Sequence, residues 1–129
     1  MSTLQRILYV EDEPDIQAVA KLALEMVGGL TVKTCSSGEA AVREAEAFAP
    51  DMVLLDVMMP GMDGPATLKA LRALPMLAAV PVAFMTAKVQ PAEIEHFKSL
   101  GARGVIAKPF DPMALADKVR AIWEGWQDE

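Results

Sequence analysis

Met52-Val53-Leu54-Leu55-Asp56 sets four consecutive apolar residues directly before a carboxylate. Uninterrupted apolarity is the pattern of a strand covered on both faces, whereas a half-exposed strand alternates. Such a strand belongs inside a parallel sheet with helices on either side. Working outward, Ile7-Leu8-Tyr9-Val10 is a second run, bounded by the acidic cluster Glu11-Asp12-Glu13. Val80 to Met85 and Gly104-Val105-Ile106-Ala107 supply two more. Leu30 to Cys35 alternates, as a strand with one face less buried would.

Helix-like stretches separate these runs. Pro14 suits the first turn of a helix, where its missing N–H costs nothing. Ile16, Val19, Ala20, Ala23, Met26 and Val27 then recur at helical spacing as one apolar stripe, and Gly28-Gly29 stops it. Ser36 or Ser37 caps a helix over Gly38 to Phe48, which Ala49-Pro50 ends. Gly64-Pro65 opens a third helix ending near Leu74-Pro75, with Asp63 as its candidate cap. Pro91 to Leu100 is the fourth, and Asp111-Pro112 caps a last one with the stripe Leu115, Val119, Ile122, Trp123 and Trp126. Five strands alternating with five helices predict an α/β fold, a doubly wound five-stranded parallel sheet.

The 129 residues suit one compact domain, and 53% hydrophobic content is enough for a well-buried interior. No apolar run approaches the roughly 20 residues of a membrane helix. Met1 to Gln5 lacks the basic and apolar regions of a signal peptide, so a cytoplasmic protein without membrane contact is expected. The net charge of −6 opposes tight binding to phosphate backbones. No direct nucleic-acid partner is therefore expected, and any effect on transcription would pass through another protein. Cys35, the single cysteine, reads as a small buried hydrophobe, and most of the nine methionines as core fillers. His96 falls in the polar rhythm Glu93-Ile94-Glu95-His96 and reads as solvent-facing.

Open parallel sheets bind ligands at the carboxyl ends of their strands. The polar residues there are Glu11 and Asp12, Asp56, Thr86 and Lys108. Alone, Asp56 is an ordinary strand-end aspartate, a residue type that usually serves a turn or a cap. The set changes its meaning. Two unit charges about 4 Å apart repel by roughly 4 kcal/mol at an effective dielectric near 20. Three gathered carboxylates therefore call for a cation. Oxygen donors without His or Cys favour Mg²⁺, with Mn²⁺ as the alternative, over zinc or copper. Asp56 then suits a carboxylate nucleophile that forms an aspartyl phosphate. Lys108 can neutralise phosphoryl oxygens, and the Thr86 hydroxyl can donate to one of them.

These stretches resemble the receiver domains of two-component response regulators. The matching segments are Ile7 to Glu13, Val53 to Gly64, Met85-Thr86-Ala87 and Lys108-Pro109-Phe110, four motifs in order across almost the whole chain. The resemblance implies a single receiver domain over 1–129, with the flavodoxin-like strand order 2-1-3-4-5 and a cis peptide before Pro109. It implies phosphorylation at Asp56, and Mg²⁺ held by Glu11, Asp12, Asp56 and the Met58 main-chain carbonyl. Thr86 would be the switch hydroxyl and Lys108 the phosphate-contacting lysine. A histidine kinase or phosphotransfer protein would be the donor. The output would pass to a downstream protein or a second copy, through the face of the fourth helix, fifth strand and last helix. The chain ends about where such a domain ends, so a signalling protein rather than an enzyme is expected, acting through a partner.

Two positions depart from the commonest pattern of that family, and two variable ones flank the site. Glu11 replaces the first of a usual Asp pair. Val105 stands where many members carry an aromatic residue that rotates inward on activation. Met58 and Lys88 occupy the variable positions flanking the site, and Met58 is expected to shield a phosphoryl group from water. Two rival readings are weaker. A phosphohydrolase of the haloacid-dehalogenase kind needs a second Asp two residues after the nucleophile, and that position is Met58. A phosphorylation-independent adaptor would be expected to lack Asp56, Asp12 or Lys108, and all three are present.

Overall fold

A computed structural model describes residues 3–127. The strands are β1 (Arg6–Val10), β2 (Thr31–Cys35), β3 (Met52–Asp56), β4 (Val82–Thr86) and β5 (Gly104–Ala107). The helices are α1 (Pro14–Leu22), α2 (Gly38–Phe48), α3 (Gly64–Arg72), α4 (Pro91–Ser99) and α5 (Leu115–Gln127). All strands pair in parallel, in the order 2-1-3-4-5. The α/β doubly wound sheet is therefore as its alternating pattern predicts. All five residues of the central β3 are buried, whereas the edge strands β2 and β5 are partly open.

Successive side chains of a strand point to opposite faces. Ile7, Tyr9, Leu54 and Met85 accordingly pack with Leu115, Val119 and Trp123 of α5 and with Ala20 of α1. Leu8, Val10, Leu55 and Phe84 pack with Ala41 and Ala45 of α2, Leu68 and Leu71 of α3, and Phe97 of α4. Every strand thus presents its carboxyl end to the same edge of a sheet held from both sides.

The helix starts follow the side-chain signals. Ser37 Oγ accepts the Ala40 N–H at 3.1 Å, and Asp63 Oδ1 accepts the Ala66 N–H at 2.9 Å. Asp111 caps a turn instead, accepting the Met113 N–H, and α5 begins only at Leu115.

Two expectations need correction. The apolar stripe of α1 does not continue unchanged through Val27, because a π-helical turn occupies Ala23–Val27. In this wider turn Ala23 and Leu24 are buried whereas Met26 and Val27 are exposed, and Val19, one turn earlier in α1, is exposed as well. The methionines are also less buried than expected. Met52, Met59 and Met85 are in the core, but Met26, Met58, Met76 and Met113 are exposed on helices and connections. His96 is exposed, and Cys35 is buried with its thiol pushed up to about 11, chiefly by that burial.

Candidate functional site

The carboxyl ends of β1, β3, β4 and β5 bring the polar strand-end residues together. Carboxylate oxygens of Glu11, Asp12 and Asp56 lie within 4.8 Å of one another. Glu11 is fully buried, Asp56 is 3% exposed, and Asp12 is half-buried. Parallel register carries the site across the sheet, since Asp56 pairs with Met85 and Thr86 with Ala107. Lys108 follows directly, and its N–H donates to the Thr86 carbonyl at 2.9 Å. The Lys108–Pro109 bond is cis.

Lys108 is the cation of this cluster. Its ammonium donates to Glu11 Oε1 at 2.9 Å and to Asp56 Oδ1 at 3.2 Å. Burial works against the charge of the lysine, but the two carboxylates hold its pKa above the usual value. Glu11 is likewise penalised by burial, yet hydrogen bonds from Lys108 and from the Glu13 N–H bring its pKa below the ordinary one. Asp56 goes the other way. Burial and then the Glu11 charge push it up to about 6, against the pull of Lys108. One cation shared by two buried anions leaves the second underneutralised.

The Thr86 hydroxyl is buried and accepts the Lys88 N–H at 3.1 Å, tying the end of β4 to the loop after it. Lys88 itself is exposed. Met58 lies two residues beyond Asp56 and is 74% exposed. Val105 is half-buried in β5.

Two side chains without a motif of their own also belong here. Gln17 Nε2 donates to the Glu11 carbonyl at 2.6 Å and to Ser36 Oγ at 3.2 Å, joining α1 to the ends of β1 and β2. The Tyr9 hydroxyl, wholly buried, donates to Glu11 Oε1 at 3.4 Å. A phenol on β1, two residues before the carboxylate that directly follows the strand, is its only sequence signal.

Gly64 sets how closely α3 approaches Asp56. A Cβ there would stand 2.6 Å from the Asp56 carbonyl oxygen and 2.8 Å from Val57 Cα, both backbone atoms. Gly64→Ala is therefore expected to lower stability by about 1–3 kcal/mol, the usual cost of overpacking. Urea unfolding measures this, and a neutral substitution would show that the helix can withdraw freely.

The donor set suits a hard divalent cation: three carboxylates supply oxygen, and no His or Cys joins them among the described residues. The same residues place a carboxylate, an ammonium and a hydroxyl at one mouth, the groups that phosphoryl transfer to a carboxylate requires.

Comparison with known proteins identifies the family. The family model of the response regulator receiver domain matches residues 7–120. The alkaline phosphatase synthesis transcriptional regulatory protein PhoP of Bacillus subtilis is 36% identical over 118 residues, 92% of this chain and 48% of that protein. The DNA-binding response regulator MtrA of Mycolicibacterium smegmatis is 34% identical over 125 residues, 97% of this chain and 53% of its own length. The chain thus spans about half the length of the curated relatives it matches. A chemotaxis response regulator of Vibrio cholerae superimposes with a TM-score of 0.85 at 28% identity, covering 93% of this chain and 99% of that one. With fold and strand order in agreement, the chain belongs to the receiver domain family of response regulators.

Proposed function

We propose that Asp56 accepts a phosphoryl group from a phosphohistidine on a histidine kinase or phosphotransfer protein. The observation that carries this reading is the Lys108 ammonium bridging two buried carboxylates, Glu11 and Asp56, beside Asp12. A carboxylate oxygen of Asp56 attacks phosphorus, the bond to the donor nitrogen breaks, and an acyl phosphate results. Glu11, Asp12, Asp56 and the Met58 carbonyl would hold Mg²⁺, which neutralises charge on the transferring group. Lys108 turns from the carboxylates toward the phosphoryl oxygens, and Thr86 donates its hydroxyl proton to one of them. Incubation with Mg²⁺ and a small phosphodonor, read by intact mass, should add one phosphoryl group. No addition, with a kinase-derived donor failing too, would favour the phosphorylation-independent adaptor.

The aspartyl phosphate brings about −1.5 to −2 charges to the mouth. Drawing Thr86 inward pulls on the loop it binds through Lys88, and so on the face formed by α4, β5 and α5. A trough of about 510 Å³ runs along that face, lined by Val105, Ile122, Lys98, Arg103 and Trp126 among others. Among the described residues Lys98 and Arg103 are the charged side chains lining it. The trough suits a partly apolar segment of a downstream protein or of a second copy, and the net charge of −6 opposes nucleic acid as the partner. With valine at position 105, the switch works through Thr86 and not through an aromatic rotation. The chain is a signalling component, not an enzyme, and no helix among its described residues is long and apolar enough to cross a membrane.

Met58 controls lifetime in this scheme. Its exposed side chain stands at the rim two residues from the acceptor. Met58→Asn exchanges an apolar cover for a group that hydrogen-bonds water, so autodephosphorylation should quicken several-fold. An unchanged or slower decay of the phosphorylated mass would remove Met58 from that role.

A further inference from the structure

We propose that Tyr9 is a positioning residue for Glu11, and that the two act as a matched pair. This rests on the phosphoacceptor reading above. Tyr9 is wholly buried in β1, in the layer shared with α1 and α5. A buried phenol needs a partner for its O–H, and here that partner is Glu11 Oε1 at 3.4 Å.

Glu11 carries three donors. Lys108 and Tyr9 meet at Oε1, and the Glu13 N–H reaches Oε2 at 3.3 Å. Lys108, at 2.9 Å, is the strong donor in this state, and the longer tyrosine contact is secondary. Lys108 is also shared with Asp56, so it is the donor that a phosphoryl group draws away. Tyr9 and the Glu13 amide then remain. Both are neutral, so they orient the carboxylate without adding positive charge that repels a divalent cation.

The pairing also accounts for the longer acid at position 11. Glutamate has one more side-chain torsion than aspartate and needs more restraint to keep one orientation. An aspartate there would retract by one methylene and withdraw its oxygen from the phenol. Partners behind a metal ligand typically set affinity by about 10–100-fold. The Tyr9 effect should accordingly depend on Glu11.

Calorimetric Mg²⁺ titration of wild type, Tyr9→Phe, Glu11→Asp and the double variant tests the pair, with thermal unfolding run in parallel. Tyr9→Phe keeps the ring and its packing. It should bind Mg²⁺ about tenfold more weakly than wild type. In the Glu11→Asp background the same change should alter affinity by less than about twofold. Equal affinity of wild type and Tyr9→Phe, or equal weakening in both backgrounds, overturns the pairing and leaves the phosphoacceptor reading standing. Wild type that binds no Mg²⁺ overturns both. A purely structural tyrosine would lower the unfolding temperature without moving the affinity, which also rejects the proposal. One measurement needs no variant: the Tyr9 hydroxyl proton should exchange slowly by NMR and shift when Mg²⁺ is added. A hydroxyl proton unmoved by the ion argues against the pair even if Tyr9→Phe does not fold.

Discussion

Asp56→Asn is expected to take up no phosphoryl group and, without divalent ions, to be more stable than wild type at neutral pH. The first effect is complete because an amide is a poor nucleophile and yields no acyl phosphate. The second follows from the electrostatics of the carboxylate cluster. Burial and the Glu11 charge raise the Asp56 pKa from 3.8 to about 6. Between those values the folded protein binds more protons than the unfolded one, so this carboxyl lowers stability as pH rises from about 4 to about 6. Asparagine has no such titration. The variant should gain about 1–3 kcal/mol above about pH 6, and the gain should vanish below about pH 4. Glu11 contributes with the opposite sign, since its lowered pKa supports stability that is lost as pH falls through its folded value. That contribution is present in both proteins. Urea unfolding across pH, with intact mass after phosphodonor treatment, reads both effects. Equal stability near pH 7 would reject the crowded-carboxylate account, and phosphate on Asp56→Asn would move the acceptor elsewhere.

Lys108→Ala should have the second largest effect, and in the opposite direction. Its ammonium is the cation bonded to both Glu11 and Asp56, at 2.9 and 3.2 Å. Removing one partner of a buried ion pair leaves uncompensated charge and typically costs about 3–5 kcal/mol. Protonation of Asp56 limits that cost at low pH, so the loss should grow as pH rises. Addition of Mg²⁺ should restore more stability to Lys108→Ala than to wild type, because the lysine no longer competes for the same oxygens. Phosphoryl uptake should nevertheless fall by about 10²-fold, the scale of losing one preorganised donor to a developing charge. Rescued stability with unimpaired uptake would remove Lys108 from the phosphoryl contact while keeping its structural role.

Much of this architecture was legible from local pattern. Met52 to Leu55 reads as a doubly covered strand because both faces of β3 are buried, and β2 alternates because it lies at an edge. Ser37 and Asp63 stand at helix starts because their short oxygens reach an N–H three residues on. The misread residues are those where tertiary contact overrides period. The apolar stripe of α1 breaks at Ala23–Val27, and no periodicity in the surrounding sequence marks that π turn. Met26, Met58, Met76 and Met113 show that a flexible apolar side chain is tolerated on connections and outer helix faces as readily as in a core.

For the site the division is sharper. The sequence alone determined which chemical groups stand at the strand ends: Glu11, Asp12, Asp56, Thr86 and Lys108, each after an apolar run in a parallel sheet. Strand direction is enough for that, since every parallel strand ends at the same edge. Only the tertiary structure decided how those groups share charge. Lys108 and Glu11 are 97 residues apart in the chain and 2.9 Å apart in the fold. That contact leaves Asp56 the less neutralised acid and leaves Tyr9 as a second donor to Glu11. Coulomb energy depends on distance and burial, and neither is written in the order of the residues.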